Sequence, residues 1–379
     1  MKILMITPYF PPRKGGVENY TYNLSKKLSG KGYELTVLST GNTVEETYDN
    51  FKVIRIKNKL SISNTPIDML LPFKLSKILK KGDFDIVNAH MPVPFYADIA
   101  AITSKINNIP FILTYHNDVI KYGPLKILSS LYNKSALQLT LRLADKIITP
   151  SPYVYNESPI MRKFADKTFL IPPGVDPNIY KPGKSFARRK YNLPQDSKII
   201  LFVGAMNRGH AHKGVSILLK AFSEVRSNDA HLVLVGGGNM IPEYKKLAKF
   251  LGIANKTTFT GFIDEKSLID LYRGSYMLVL PTVTAAEGFG MVLIEANACG
   301  KPVIGSKIGG IKYVIKEGET GLLVPPGDPN ELANAMERLL DDERLAKKMG
   351  SKGRKMVQEN YTWDKIVKMT GRVYREAIL

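Results

Sequence analysis

Two glutamates, Glu287 and Glu295, lie eight residues apart in AAEGFGMVLIEANACGKPVIGS, residues 285–306. If the glycines at 288 and 290 turn the chain into a helix, its first amide N–H groups point outward. Such amides favour an anion, for example a diphosphate. Glu295 then sits about one and a half turns along that helix, where a carboxylate can accept both hydroxyls of a ribose. Glu287, ahead of the helix, faces the reacting group or a sugar hydroxyl. The plainer alternative is a loop-to-helix junction carrying two solvated glutamates. Elsewhere, His116 in YHND and His90 in NAHMP each end an apolar run, where a loop lining a cleft belongs. His210 and His212 lie between Arg208 and Lys213 without nearby carboxylates, so they read as polar loop residues and no metal site is expected. Asp83 and Asp85 have a metal-nucleotide spacing but precede a strand in the wrong half of the chain. No Ser-His-Asp or Cys-His set is found.

These residues must be positioned by elements that alternate along the chain. Strand-like runs at 2–6, 34–39, 51–56, 85–90, 110–114, 146–150 and 167–171 are separated by helical spacing at 17–30, 72–80, 96–107 and 123–144. The strands are continuously apolar, which predicts a parallel sheet covered on both faces. The segment 171–183, rich in proline and glycine, reads as a linker. The pattern then restarts, with strands at 197–203, 231–235, 257–260, 277–280, 302–305 and 321–324. Helices are expected at 215–226, 242–251, 266–273, from 290, in pieces over 329–359, and at 363–378. The fold class is α/β, with two doubly wound Rossmann-like domains facing a central cleft. Domain boundaries fall at 1–175, a linker 176–182, 183–360, and a C-terminal helix 361–379 returning to the first domain.

The chain has 379 residues and a net charge of +20. Hydrophobic residues make up 44% and charged residues 23%, which excludes a disordered chain. The single cysteine, Cys299, permits no intrachain disulfide and fits a reducing, cytoplasmic setting. No apolar run is long enough to span a bilayer. The basic excess asks for a polyanionic neighbour. A helix-turn-helix or an interleaved basic–aromatic pattern is missing, so nucleic acid is not expected. Residues 51–150 carry a net +8. Within them, PFKLSKILKK places apolar residues on one flank of a helix and lysines on the other, and 123–144 is similarly apolar with basic residues. Both suit an anionic membrane surface; both would also suit packing on a sheet.

The stretch 285–306 resembles the retaining glycosyltransferases of the GT-B class usually called family 4, whose hallmark is E-x7-E. The resemblance runs over nearly the whole chain: GGVE at 15–18, KGYELTVLST, PSPYV, IPPGVDPNIYKP, HKGVSILLKAF, LVLVGGG, FTGFI and TGLLVPPGDP follow in the family's order. It implies roles for particular residues. Glu295 would bind the donor ribose, and Glu287 would lie by the transferred sugar. Backbone groups of Phe289, Gly290, Met291, Val292 and Leu293 would hold sugar hydroxyls and phosphate. Lys213 would place its ammonium on the diphosphate. Where the family has Gly-Arg-Leu, this chain has Gly204-Ala205-Met206, so Arg208 is expected to take over the phosphate. Gly15 and Gly16 would form the glycine-rich donor loop, Gly16 letting backbone approach the phosphates. His116 would touch the transferred sugar or the acceptor, with His90 beside the acceptor site. Phe262 and Ile263 would lie near the nucleobase.

The implied reaction is retaining transfer of a hexose from a UDP-, GDP- or ADP-sugar to a lipid-linked or saccharide acceptor. It would proceed through an oxocarbenium-like state, with no metal and no further cofactor. The protein would act at the cytoplasmic face of a membrane. An epimerase-type or non-catalytic sugar-nucleotide-binding protein of the same fold is the competing reading.

Overall fold

The computed structural model describes residues 1–13, 15–58, 60–62, 65–119 and 125–379. They form two units, Met1–Gly174 with Trp363–Leu379, and Val175–Thr362. In the first unit the strands are β1 (Lys2–Ile6), β2 (Glu34–Thr40), β3 (Val44–Tyr48), β4 (Phe51–Ile56), a small hairpin of β5 (Leu60–Ile62) and β6 (Thr65–Ile67), β7 (Ile86–Met91), β8 (Phe111–Tyr115), β9 (Lys146–Thr149) and β10 (Thr168–Leu170). The sheet runs β10-β9-β8-β7-β1-β2-β4-β3. Its pairings are parallel, except that β3 lies antiparallel to β4 at the edge. Every residue of β7 and β8 is buried, because helices cover both faces.

On one face, the helix Gly16–Ser29 packs against the helix Trp363–Ile378. The latter buries Trp363, Ile366, Val367, Thr370, Val373 and Tyr374, the three-and-four spacing of an amphipathic helix. Trp363 lies over Gly174, where a Cβ would meet its ring. The Tyr374 hydroxyl donates to Asn88 Oδ1 at 2.8 Å inside the core. The amide of Asn88 in turn donates to Ile112 O and Thr114 Oγ1. This ties the returning helix to the central strands by a satisfied buried network. The other face carries the helices Leu71–Gly82, Tyr96–Ile106 and Ala136–Leu143, whose Leu75, Ala100 and Leu141 are buried in one cluster.

The second unit holds β11 (Lys198–Val203), β12 (Ala230–Val235), β13 (Thr257–Gly261), β14 (Met277–Leu280), β15 (Val303–Ser306) and β16 (Gly321–Val324). The order is β13-β12-β11-β14-β15-β16, parallel throughout. Strand order reverses between β11 and β14 here, and between β1 and β7 in the first unit. Those reversals open crevices at the carboxyl ends of the strands. Among the described residues no helix is long and apolar enough to cross a membrane.

The architecture is the doubly wound α/β pair expected, with local differences. The segment 176–182, expected as a linker, lies on the second unit. Val175 N–H donates to Tyr361 O at 2.7 Å, and the Arg273 guanidinium donates to the carbonyls of Ile179 and Lys181. A proline-rich backbone has few partners of its own, and these groups supply them. The helix expected over 123–144 is two helices, Leu125–Lys134 and Ala136–Leu143, with residues 123 and 124 outside those described. β3, VEETY, is half-exposed and charged, so it lacks the apolar run that marks a buried strand.

Candidate active site

The crevice of the second unit is built by the loops after β11 and β14. After β11 the chain runs through Gly204, Ala205 and Met206 into a short 3-10 turn, Arg208–Lys213, then Gly214 and the helix Val215–Ser223. Gly214 has φ +75°, and a Cβ there would fall on the carbonyl oxygen of Pro281 in the other loop. Only glycine lets the two loops touch. Val283 N–H also donates to His212 O at 2.8 Å. The loops therefore present one surface.

On that surface Lys213 Nζ lies 2.5 Å from Glu287 Oε2, with each side chain 18% exposed. Burial pushes the Glu287 carboxyl up. The Lys213 ammonium outweighs it, helped by the nearby imidazoles of His212 and His210, and holds it below the ordinary carboxylate range. Burial and the same ammonium hold both imidazoles below their own ordinary range. The backbone of Glu287 is fixed too, its carbonyl accepting from Gly310 N–H at 2.9 Å. Lys213, expected on a diphosphate, thus already serves as the counter-ion of Glu287. The pairing follows from burial: a mostly enclosed carboxylate needs a cation.

Gly290, at φ +83°, opens the helix Met291–Ala298. Met291 and Val292 contribute its first amides. The Leu293 side chain is fully buried, and its N–H donates to Gly290 O. The Phe289 ring is core as well, packed edge-on against Tyr361 at 5.7 Å. Glu295 follows on the same helix. The Tyr272 hydroxyl donates to its Oε2 at 2.6 Å. Burial, opposed by that hydrogen bond and reinforced by the charge of Glu265, pushes its carboxyl up to about 7. Tyr272 carries no motif, so only the fold shows it.

Arg208 is exposed, anchored through its N–H to Asn239 Oδ1 at 3.2 Å. Met206 is buried, and its N–H donates to Gly237 O, stitching the β11 loop to the glycine turn after β12. Phe262, just past β13, is 71% exposed and lies beside Gly237, where a Cβ would meet the ring. Its ring is left open to solvent at the carboxyl ends of the strands. Ile263 beside it packs partly into the core. His210 Nδ1 contacts Asn207 Oδ1 at 2.7 Å, and no group of three His, Cys, Asp or Glu among the described residues is placed to hold a metal ion.

The first unit places its candidates around the β1–β7 reversal. Gly15 is extended, and its Cβ position is taken by the Glu18 carboxylate, which also lies 3.6 Å from the Arg13 guanidinium. Gly16 faces open space at the start of its helix. A side-chain carboxylate therefore lies against Gly15 near the start of the helix, a placement the helix dipole favours, while Gly16 stays open.

His90, in β7, and His116, just past β8, meet at Nδ1···Nε2 3.1 Å with stacked rings. The Tyr20 ring stands edge-on to His116 at 5.0 Å. Tyr20 Oη and His90 Nε2 are buried without a hydrogen-bond partner among the described residues. Burial drives the His116 imidazole down to about 3, and burial with the neighbouring ring drives His90 well below its ordinary value. The pair is neutral at any physiological pH, one ring donating to the other. Unfolded imidazoles titrate near 6.5 while these do not, so the first unit loses stability as pH falls through that value. Replacing His116 by glutamine flattens this slope. Melting curves between pH 5 and 8 read it, and an unchanged slope would contradict a buried neutral pair.

Two family models match, Glycosyltransferase Family 4 over residues 14–179 and Glycosyl transferases group 1 over 183–356. The chain is 30% identical over 358 residues to a D-rhamnosyltransferase of Pseudomonas aeruginosa, covering 93% of this chain and 90% of that protein. It is 28% identical over 372 residues to O-antigen chain mannosyltransferase C of Escherichia coli, covering 97% and 96%. Among solved structures, a sucrose-phosphate synthase from Thermosynechococcus elongatus superposes with TM-score 0.81 at 27% identity, covering 99% of this chain and 98% of the other.

Proposed function

The chain belongs to the GT-B glycosyltransferases of the family 4 kind, and on that premise we propose that it transfers a hexose from a nucleotide-diphosphate sugar, with retention, to a lipid-linked or saccharide acceptor at a membrane surface. The observation that carries this reading is the Lys213–Glu287 pair at the β11–β14 reversal, directly ahead of a helix N-terminus. Breaking the bond from sugar to diphosphate develops negative charge on the leaving phosphate. Lys213, Arg208 and the amides of Gly290, Met291 and Val292 stand on the loops where that charge would build. The ammonium of Lys213 would then be shared between Glu287 and phosphate. Glu287, held ionised, would face the positive charge growing at the anomeric carbon.

With Glu295 on the ribose and Phe262 and Ile263 at the base, the sugar is presented to an acceptor that attacks from the leaving-group face. The departing phosphate oxygen takes the acceptor's proton, so no side-chain nucleophile is required. Two cations and a helix terminus supply the counter-charge in this scheme without a metal ion. The neutral His90–His116 pair offers a hydrogen bond to an acceptor on the first unit without adding charge.

A thermal-shift screen of UDP-, GDP- and ADP-sugars tests the donor. A ligand at a hundredfold its Kd stabilises by about 2.7 kcal/mol, which is several degrees for a unit of this size. Release of nucleoside diphosphate by the wild-type protein, and its loss in Glu287→Ala, is the expected outcome. No turnover with any donor, with Glu287→Ala behaving as wild type, would sink the reading.

A further inference from the structure

On the first unit, the helix Leu71–Gly82 packs beside Tyr96–Ile106, which packs beside Ala136–Leu143, which packs beside Leu125–Lys134. The inward sides of this layer are core. Its outward side is unusually apolar: Phe73 is 75% exposed, Ile106 72% and Ile127 79%, with Met69, Leu131 and Leu139 also exposed. Large side chains left this bare across neighbouring helices mark an interaction surface.

The charge on the same layer selects the partner. The helices Leu71–Gly82, Leu125–Lys134 and Ala136–Leu143 hold Lys74, Lys77, Lys80, Lys81, Lys126, Lys134 and Arg142, and no Asp or Glu. Asp98, on the remaining helix, turns inward to Tyr132, Thr140 and the Phe95 amide, and Asp68 is paired with Lys74. A second copy of this chain docked here would set like charges against each other. An anionic lipid leaflet satisfies both features, taking the apolar tips below the headgroups and the lysines among them.

We propose that this helical layer is the face by which the protein docks on an anionic bilayer, with Phe73, Ile127 and Leu131 inserted and Lys77, Lys80, Lys81 and Lys126 on the headgroups. The proposal rests on the reading that the acceptor is met at a membrane, and it assigns the surface that meets it.

Flotation with phosphatidylcholine vesicles, with and without phosphatidylglycerol, tests it. Wild type is expected to bind the anionic vesicles at least tenfold better than the neutral ones, and less at high salt. Phe73→Glu with Ile127→Glu lowers that binding tenfold or more. Replacing Lys77, Lys80 and Lys81 by glutamine lowers it by roughly fivefold for each lysine that reaches the headgroups. Both variants keep the wild-type melting temperature and the slow release of nucleoside diphosphate from the donor in water. Wild type that stays off both vesicles, or a Phe73→Glu/Ile127→Glu variant that floats as well as wild type, overturns the proposal. So does a dimer in sedimentation velocity that this variant dissociates. Vesicle binding without donor turnover supports the surface and removes the transferase reading; donor turnover without vesicle binding does the reverse.

Discussion

Replacing Lys213 by glutamine lowers turnover of the nucleotide sugar by about 10²–10³-fold, the loss typical of removing one donor aimed at a developing oxyanion. The stem of Lys213 runs against Gly204, so close that a Cβ there would stand 2.9 Å from Lys213 Cδ. That track aims the ammonium at the mouth of the crevice and at Glu287. A substitution here acts in two ways, and they separate experimentally. The chemical loss appears in kcat. The structural loss arises because Glu287 is left mostly enclosed without its cation, which costs about 3–5 kcal/mol for a buried pair and less for one that keeps some exposure.

The pH dependence of stability tells the two apart. In the wild type the Glu287 carboxyl sits below its ordinary value, so its contribution is present above the unfolded carboxylate pKa and is lost as pH falls through the folded one. Without Lys213 the burial effect is left largely unopposed and raises the carboxyl. The variant then loses stability as pH rises. Adding Glu287→Gln to Lys213→Gln removes the stranded charge and restores the melting temperature, while activity stays low. A Lys213→Gln enzyme with wild-type kcat would remove the lysine from the leaving-group site, whatever its melting temperature.

The elements around this pair were legible because buried parallel strands leave continuous apolar runs and glycines mark the turns between them. KIILFV and AHLVLV could be little else. The E-x7-E spacing was legible for the same local reason: both residues lie within one turn and one helix. The partners were not. Lys213 and Glu287 are 74 residues apart, and Tyr272 and Glu295 are 23 apart. The first pair meets because the loops after β11 and β14 are brought side by side, the second because the helices Glu265–Gly274 and Met291–Ala298 flank β14. The approach of Glu18 to Gly15 and the mutual contact of His90 and His116 escaped for a related reason. A motif names the residue that faces a ligand but is silent on what satisfies that residue before the ligand arrives. Helix Leu71–Gly82 shows the converse. Its pattern allowed both sheet packing and an exposed apolar flank, and the fold shows both at once: Leu75 and Leu79 in the core, Phe73 in solvent.

Glu295→Gln is expected to make the protein more stable at pH 8 and a poorer enzyme. The carboxyl is raised to about 7, chiefly by burial. A raised carboxyl holds its proton in the folded state while the unfolded chain has lost it, so stability is full below about pH 4.5 and declines as pH rises through 7. A shift of this size is worth about 3 kcal/mol, and about 2 once the residue's remaining exposure is allowed for. Glutamine cannot ionise, yet its carbonyl can still accept from the Tyr272 hydroxyl. The variant therefore keeps that free energy, melting about 5 °C higher at pH 8 and level with wild type at pH 4.5. Binding moves the other way. Two ribose hydroxyls donating to a carboxylate are charge-assisted, and exchanging it for an amide raises KM for the donor about a hundredfold. On the proposed ribose role the ionised form is the binding one, so donor affinity of the wild type is expected to climb with pH up to about 7 and then level, whereas that of the variant is flat. A variant that gains stability but binds the donor as wild type would show that the strained carboxylate serves something other than ribose. If the gain in melting temperature and the loss of donor affinity arrive together, the protein holds a destabilising charge in its second unit because the nucleotide requires it.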